Sequence, residues 1–326
     1  MLKTHAIIVE RYGDPSVMVW TQTPLEAPAA GEALVRHTAV GVNYVDVYDR
    51  SGLYPMALPS ILGREAAGVV EAIGPGVRGL APGDRVAYTY PIPGAYAERR
   101  VCPAERLVRL PDTITDTQAA AVMLKGLTAR YLLRETFKVR AGATILVHAA
   151  AGGVGLLLVQ WARSLGARVI GIVGSDAKAA HLRALGCELA LIRGRDDIVA
   201  TVRDFTGGRG VPVVYDAVGK DTLETSLSCL ARRGLLVSYG NASGAVPPVA
   251  PLELMRRGSL YLTRPTLIDY IPDRRSLRKA TTELFAVVGS GTVKVHVGRT
   301  LPLRSAADAH RELEAAATLG STVLLP

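Results

Sequence analysis

Apolar residues follow two rhythms along this chain. Over residues 1–125 short β-rich runs, HAIIVE (5–10), EALVRHTAVGVN (32–43), AAGVVEAIG (66–74) and DRVAYTY (84–90), alternate with turn segments such as GPGVRGLAPGD (74–84). Strands this closely spaced, punctuated by Gly and Pro, predict a partly open β-barrel rather than a parallel sheet. From about Asp116 the texture becomes helical: TDTQAAAVMLKGLTARYLLRET (115–136) is rich in Ala and Leu, with Thr115, Asp116 or Thr117 available as caps.

The second rhythm alternates strand and helix. ATILVHA (143–149) reads as an apolar strand and GVGLLLVQWARSLG (153–166) as a helix. Val154, Leu157, Leu158, Trp161, Ala162 and Leu165 give it one buried stripe, and Gly166 stands where a C′ glycine is expected. ARVIGIVG, DAKAAHLRALG, LALI, VPVVYDAVG and GLLVSYGN continue the pattern. Repeated βαβ units predict a right-handed, doubly wound parallel sheet. The tail STVLLP (321–326) is strand-like and needs a sheet to join. The expectation is an α/β chain of two domains, a barrel domain of residues 1–125 and 268–326 and a Rossmann domain of residues 126–267. The 326 residues agree with that number at ~150 residues per domain.

Composition narrows the class. No apolar run approaches the ~18–20 residues of a membrane span, and MLKTHAIIVERYG has no signal-peptide core, so a cytosolic location is expected. Cys102, Cys187 and Cys229 are far apart and form no CxxC pair, which excludes a disulfide framework and a four-cysteine zinc lobe. The net charge of +9 raises nucleic-acid binding, but the cations are scattered in ones and twos and aromatics are only 5%, few stacking platforms for a single strand. An anionic small ligand explains the excess more simply.

The central chemical motif is HAAAGGVGLLLVQWA (148–162). A strand ending at His148 or Ala149 meets a helix beginning near Val154 through Gly152, Gly153 and Gly155. Helix N-termini expose free N–H groups and a partial positive charge, and glycine lets a pyrophosphate approach them. The G-x-G-x-x-G pattern is degenerate here, with Ala150 in the first glycine position. An NAD site calls for Asp or Glu at the end of the next strand. Here Gly174 and Ser175 stand there, Lys178 can reach a 2′-phosphate and Arg193 can supply a second cation. Asp176 argues the other way, though an Asp in that place is an ordinary N-cap. NADPH is the expected cofactor, and His148 is expected to be a satisfied core or loop histidine.

The blocks NYVDVYDRSGLYP, LGREAAGVV, APGDRVAY, LKGLTARYLL, HAAAGGVG, YDAVG, YGNASGAV and SLYLTRPTL, spread nearly end to end, resemble the zeta-crystallin-like quinone oxidoreductases. These are NADPH-dependent members of the medium-chain dehydrogenase/reductase superfamily. The resemblance implies a GroES-like catalytic domain built from both chain ends, a Rossmann domain, a zinc-free cleft between them for the nicotinamide, and a homodimer formed through the Rossmann domains. Two positions agree independently about zinc. The histidine of the zinc relatives' GHE motif is Arg64 here, and the place of their first cysteine ligand is Asn43; arginine has no lone pair to give a metal. Arg64 is expected to pair with a carboxylate such as Glu65 or Asp46.

The resemblance also implies site residues. Asn43 matches the residue beside the nicotinamide; Tyr48 and Tyr54 match the wall of the acceptor site, where either phenol can donate to a quinone oxygen. Tyr131 matches a tyrosine near the cofactor phosphates, and Val218 a residue packed near the cofactor. Tyr239, Gly240 and Asn241 match the loop at the nicotinamide end, where many relatives have phenylalanine at the Tyr239 position. Arg264 is a further cofactor candidate. Close relatives carry a tyrosine where this chain has Arg193, a change that keeps a phosphate partner and adds charge.

A quinone is already a strong electrophile and its reduced form is a delocalised phenolate, so positioning in a water-poor site can replace a Lewis acid. The expected activity is NADPH-dependent quinone reduction, by hydride or one-electron transfer. The alternative is NADPH-dependent reduction of α,β-unsaturated aldehydes or ketones. A nucleic-acid-binding or structural role stands further off, and Arg64 and the missing cysteines contradict a zinc alcohol dehydrogenase.

Overall fold

Every predicted strand block of the first rhythm forms a strand in the structure, a computed structural model that describes residues 2–326. Strands β1 (Leu2–Val9), β2 (Val19–Leu25) and β3 (Glu32–Val42) lead into helix α1 (Tyr44–Ser51). There follow β4 (Ser60–Ile61), β5 (Glu65–Ile73), β6 (Arg85–Thr89), β7 (Arg99–Pro103), β8 (Val108–Arg109) and helix α2 (Asp116–Tyr131). The second rhythm gives β9 (Thr144–Val147), α3 (Gly153–Ser164), β10 (Arg168–Val173), α4 (Asp176–Ala184), β11 (Leu189–Ile192) and α5 (Ile198–Phe205). It continues with β12 (Val211–Asp216), α6 (Leu223–Cys229), β13 (Leu230–Ser238), α7 (Pro251–Arg256) and β14 (Tyr261–Thr263). Helices α8 (Leu267–Tyr270) and α9 (Arg274–Gly289), strand β15 (Val297–Pro302), helix α10 (Ala306–Glu314) and strand β16 (Ser321–Leu325) complete the order.

The chain divides into two compact units. The first comprises residues up to Leu127 with Ile271–Gly289 and Val295–Pro326; the second comprises Thr128–Tyr270 with Ser290–Lys294.

In the first unit, a three-stranded sheet in the order β2-β1-β4 accompanies a seven-stranded sheet in the order β15-β16-β3-β5-β6-β8, with β7 also paired to β3. Val40, Val42, Ala66, Val70, Val86, Tyr88 and Leu324 fill the interior where these strands curl together. The tail strand β16 lies antiparallel to β3, with Thr322, Val323 and Leu324 opposite Val42, Gly41 and Val40. Helix α2 opens with a reciprocal cap. Thr115 Oγ1 accepts from Gln118 N at 3.2 Å and Gln118 Oε1 accepts from Thr115 N at 3.0 Å, so Thr115 is the capping residue among the three candidates.

The second unit is a six-stranded, wholly parallel sheet in the order β11-β10-β9-β12-β13-β14. The order reverses between β9 and β12, and such a reversal opens a crevice at the carboxyl ends of the strands. Helix α3 departs from the single-stripe expectation. Leu156, Val159 and Gln160 are buried as well as Leu157, Leu158, Trp161 and Ala162, while Val154 and Leu165 are only half-buried. A helix apolar on nearly all sides is covered on nearly all sides, so its stripe is too wide for the one-face reading. Gly166 follows the C-cap Leu165 with φ +80°, the left-handed conformation glycine adopts without strain.

Candidate active site

In the first unit, α1 begins as β3 ends, which puts Asn43 at the N-cap. Asp46, three residues on, accepts the backbone N–H of Asn43 at 2.8 Å. The Asn43 side chain also reaches Glu65, with Nδ2 donating to Oε1 at 2.8 Å. Glu65 opens β5 and is completely buried. Its Oε1 also accepts from Lys125 Nζ at 2.7 Å, and its Oε2 accepts from the Leu124 backbone N–H at 2.6 Å. Glu65 thus holds the Asn43 amide and the Lys125 ammonium in one low-dielectric network, where unpaired groups are most costly.

Arg64 does not pair with Glu65 or Asp46. Its partner is Asp49: Nε and one terminal nitrogen each donate to a different Asp49 oxygen at 2.7 Å, and the other terminal nitrogen donates to the Pro91 carbonyl. The cause is helical spacing. Glu65 is already engaged by Asn43, Lys125 and Leu124, and Asp46 faces Asn43 and Tyr96; Asp49, three residues further along α1, offers both oxygens to the planar fork. The Asp49 side chain is 1% exposed, so Arg64 neutralises a buried charge.

Below Asn43 a directed chain of hydrogen bonds runs through the unit. Arg50 donates to His310 Nδ1 at 3.1 Å and, through both terminal nitrogens, to Glu314 at 2.9 and 2.7 Å. Because Nδ1 accepts, Nε2 carries the proton and donates to Tyr96 Oη at 3.0 Å, and Tyr96 donates to Asp46 Oδ2 at 3.0 Å. Burial, and then the neighbouring Asp49 charge, push the Asp46 carboxyl up to about 7, while burial holds the His310 imidazole near 3, hence neutral. Tyr48 and Tyr54 come together edge to face at 5.1 Å, with Tyr44 beyond Tyr48 at 5.4 Å. Tyr48 is buried and Tyr54 half-buried.

In the second unit the candidate cofactor residues gather where β9, β10, β11, β12 and β13 end. Gly152 is the N-cap of α3 and no side chain caps the helix, so the first N–H groups, from Gly153, Val154 and Gly155, have no intrahelical partner. A Cβ on Gly155 would lie 2.4 Å from the Ala149 carbonyl oxygen and 2.7 Å from Ala150 backbone atoms, so only glycine fits. Ala149 itself turns through φ +49°. His148, completely buried, meets Ser226 Oγ through Nε2 at 3.1 Å; Ser226 donates to Asp216 Oδ2 at 2.6 Å. Asp216 also accepts the backbone N–H of Val218 and Gly219 and the Thr222 hydroxyl, which fixes the loop after β12. Ser243 N donates to Val218 O and Tyr239 N to Asp216 O, both at 2.8 Å, so Val218 and the Tyr239–Asn241 loop form one surface. Gly240 is needed there because a Cβ would meet the Ala217 carbonyl at 2.4 Å.

At the end of β10, Gly174 has open space above it. Ser175, not Asp176, caps α4: its hydroxyl accepts from Lys178 N at 3.4 Å, and Asp176 is the first helical residue. Lys178 is half-buried, and Arg193 is exposed at the end of β11. Tyr131 is buried and stacked on Tyr270, ring centroids 4.2 Å apart and 11° from parallel. Arg264 follows β14 and donates to the Pro265 carbonyl at 3.3 Å. Sequence reasoning missed Lys125, Asp49, Tyr96, Arg50, His310 and the full role of Glu65. Each acts across long sequence separations that no local motif encodes.

A barrel unit assembled from both chain ends, together with a unit built on a glycine-turned parallel sheet, defines a medium-chain dehydrogenase/reductase. The alcohol dehydrogenase GroES-like domain family matches residues 29–112 and the zinc-binding dehydrogenase family residues 153–275. The quinone oxidoreductase of Pseudomonas aeruginosa is 50% identical over 97% of both chains. The crystal structure of Escherichia coli quinone oxidoreductase complexed with NADPH, 46% identical, superposes with a TM-score of 0.97 over 99% of this chain and 100% of that one. A 2-haloacrylate reductase of Burkholderia is 44% identical over 98% of both. This chain belongs to the quinone oxidoreductase family.

The zinc implied by one family description does not fit the residues present. Asn43 and Arg64, which the resemblance sets at the ligand positions, are tied to Glu65 and Asp49, and an arginine has no lone pair to give a metal. Among the described residues no group of three or more His, Cys, Asp or Glu side chains is placed to hold a metal ion.

Proposed function

We propose that this chain reduces quinones with NADPH. The observation that carries the reading is the uncapped, glycine-lined start of α3 beside a strand end where Gly174 leaves room and Lys178 and Arg193 supply cations. The uncapped N–H groups of Gly153, Val154 and Gly155 suit a pyrophosphate, and a 2′-phosphate suits Lys178 and Arg193. Tyr239, Gly240, Asn241 and Val218 line the nicotinamide end, with Tyr131 and Arg264 as further contacts. When bound, NADPH supplies the hydride, and a quinone takes it with a proton to become the hydroquinone.

On the acceptor side, Asn43 orients a carbonyl or carboxamide, its amide fixed by Glu65. Tyr48 and Tyr54 give an aromatic wall with phenols able to donate to an acceptor oxygen. The test is steady-state NADPH oxidation by chelator-treated protein with 1,4-benzoquinone, run beside NADH. Chelator-resistant turnover that prefers NADPH agrees with the reading; turnover that needs added zinc, or favours NADH, overturns it. A second reading, reduction of α,β-unsaturated carbonyl compounds, draws on the similarity to the 2-haloacrylate reductase, and an enone in the same assay separates the two.

We infer further that two copies join through β14. It is an edge strand, and Tyr261 and Leu262 on it and Leu252 and Met255 on α7 are exposed apolar side chains. Leu262→Lys is expected to halve the mass measured by light scattering. No described helix is long and apolar enough to cross a membrane, and the three cysteines are buried free thiols. The free thiols suit a reducing cytosol.

A further inference from the structure

The cofactor end of the second unit carries a carboxylate in the wrong place for NADPH. Asp176 is the first residue of α4, three positions past the last residue of β10; an acid at such a strand end accepts from a ribose 2′-OH and repels a 2′-phosphate. It is 80% exposed, so neither burial nor packing hides its charge. It does have a partner. One terminal nitrogen of Arg195 donates to both Asp176 oxygens, at 2.8 and 3.0 Å.

Arg195 is itself held from the neighbouring strand. Its Nε donates to Asp196 Oδ1 at 3.1 Å, and Asp196 Oδ2 accepts the Ile192 N–H at 2.7 Å. The turn after β11 closes on the Ile192 carbonyl, which accepts from Arg195 N at 3.2 Å and Asp196 N at 3.0 Å. Gly194, at φ +81°, makes the reversal possible between Arg193 and Arg195. The connection therefore runs from the β11 backbone through Asp196 and Arg195 to Asp176.

We propose that Arg195 is a specificity-determining residue for the cofactor, cancelling Asp176 so that the strand end accepts a 2′-phosphate. This rests on the reading of Lys178 and Arg193 as the phosphate partners. Lys178, Arg193 and Arg195 against Asp176 and Asp196 leave a net charge of +1 at this rim, and loss of Arg195 brings it to zero. It also frees Asp176 to face the phosphate. The pair is exposed and its field is screened over ~10 Å at 0.1 M salt, so the effect belongs to low ionic strength. An unpartnered carboxylate near a phosphate in water is worth about a fivefold change in affinity.

The experiment measures Kd by cofactor fluorescence, and KM, for NADPH and NADH at 20 mM and 500 mM salt. Arg195→Ala is expected to weaken NADPH about fivefold at low salt and NADH less than twofold, with the difference shrinking at high salt. Adding Asp176→Asn to Arg195→Ala is expected to return NADPH to within about twofold of the parent, because the charge that Arg195 masked is gone. Equal weakening of both cofactors by Arg195→Ala, or no recovery in the double variant, overturns the proposal. Lys178→Ala separates this failure from a deeper one. If it weakens NADPH selectively while Arg195→Ala does not, the phosphate site stands and the masking role falls. If Lys178→Ala is also unselective, the 2′-phosphate reading itself falls, and this proposal with it.

Discussion

Replacing Glu65 by glutamine removes a buried negative charge while barely changing the side chain's shape. Three donors converge on this carboxylate: Lys125 Nζ at 2.7 Å, Asn43 Nδ2 at 2.8 Å and Leu124 N at 2.6 Å. A glutamine has one acceptor oxygen for them. At least one donor loses its partner, and Lys125, 5% exposed, keeps an ammonium without a counter-charge. Breaking a buried pair from one side costs about 3–5 kcal/mol. At ~2–4 °C per kcal/mol for a unit of this size, the melting midpoint of the first unit falls by roughly 6–20 °C. Trp20 lies in the first unit and Trp161 in the second, so Trp20 fluorescence in a Trp161→Phe background follows the first unit alone. Adding Lys125→Met to Glu65→Gln removes the stranded charge and should recover all but about 1–2 kcal/mol. Turnover with a quinone should stay low in the double variant, because the Asn43 amide still lacks its carboxylate. A Glu65→Gln protein within about 1 kcal/mol of the parent would refute the argument that this network is dry and tightly coupled.

Other positions offer independent checks. Asp46 titrates near 7 in the folded chain against an ordinary 3.8, so its neutral form favours folding below pH 4 and that contribution is lost as pH rises through 7. Asp46→Asn should flatten the decline in stability between pH 4 and 8, by up to roughly 4 kcal/mol in urea titrations, and an unchanged pH profile counts against it. Gly155→Ala forces a methyl into the Ala149 carbonyl, so NADPH binding by calorimetry should weaken at least tenfold with a loss of about 1–3 kcal/mol in stability; parental affinity contradicts the cradle. Arg64→His restores a histidine where zinc relatives have one, yet should bind no stoichiometric zinc after dialysis, since Asn43 is committed to Glu65; one zinc per chain by elemental analysis overturns that.

What could be read in advance was whatever repeats locally. LALI became β11 with the same ends because a short apolar run between turns has few other fates, and the glycine turn before α3 announces its backbone needs in four letters. Arg64 was visibly not a ligand, but its partner was misjudged. Nearness in sequence favoured Glu65, whereas the side-chain directions of β5 and α1 send Glu65 toward α2 and Asp49 toward Arg64. The cap of α4 lies one residue before Asp176: Ser175 and Asp176 are both good capping types, and it is the Ser175 hydroxyl that accepts from Lys178 N. His310 and Tyr96 lie 214 positions apart and gave no signal, since their bond exists only once the barrel closes.

The place of β16 has a consequence for the order of events during synthesis. Val40, Gly41 and Val42, just ahead of Asn43, are paired by β5 on one side only up to Gly41, and by residues 322–324 on the other. At about 5–20 residues per second a ribosome takes some 14–56 s to travel from one partner to the other. For about the last 3–10 s of that interval residues 128–270 are complete and available to form their own sheet, while an apolar strand edge of the first unit still waits uncovered. In those seconds the nascent chain can hold a finished parallel sheet and an unfinished barrel, with a strand edge open to mispairing. The stretch Val40–Val42 that leads into Asn43 gains its second neighbour only when the last strand arrives.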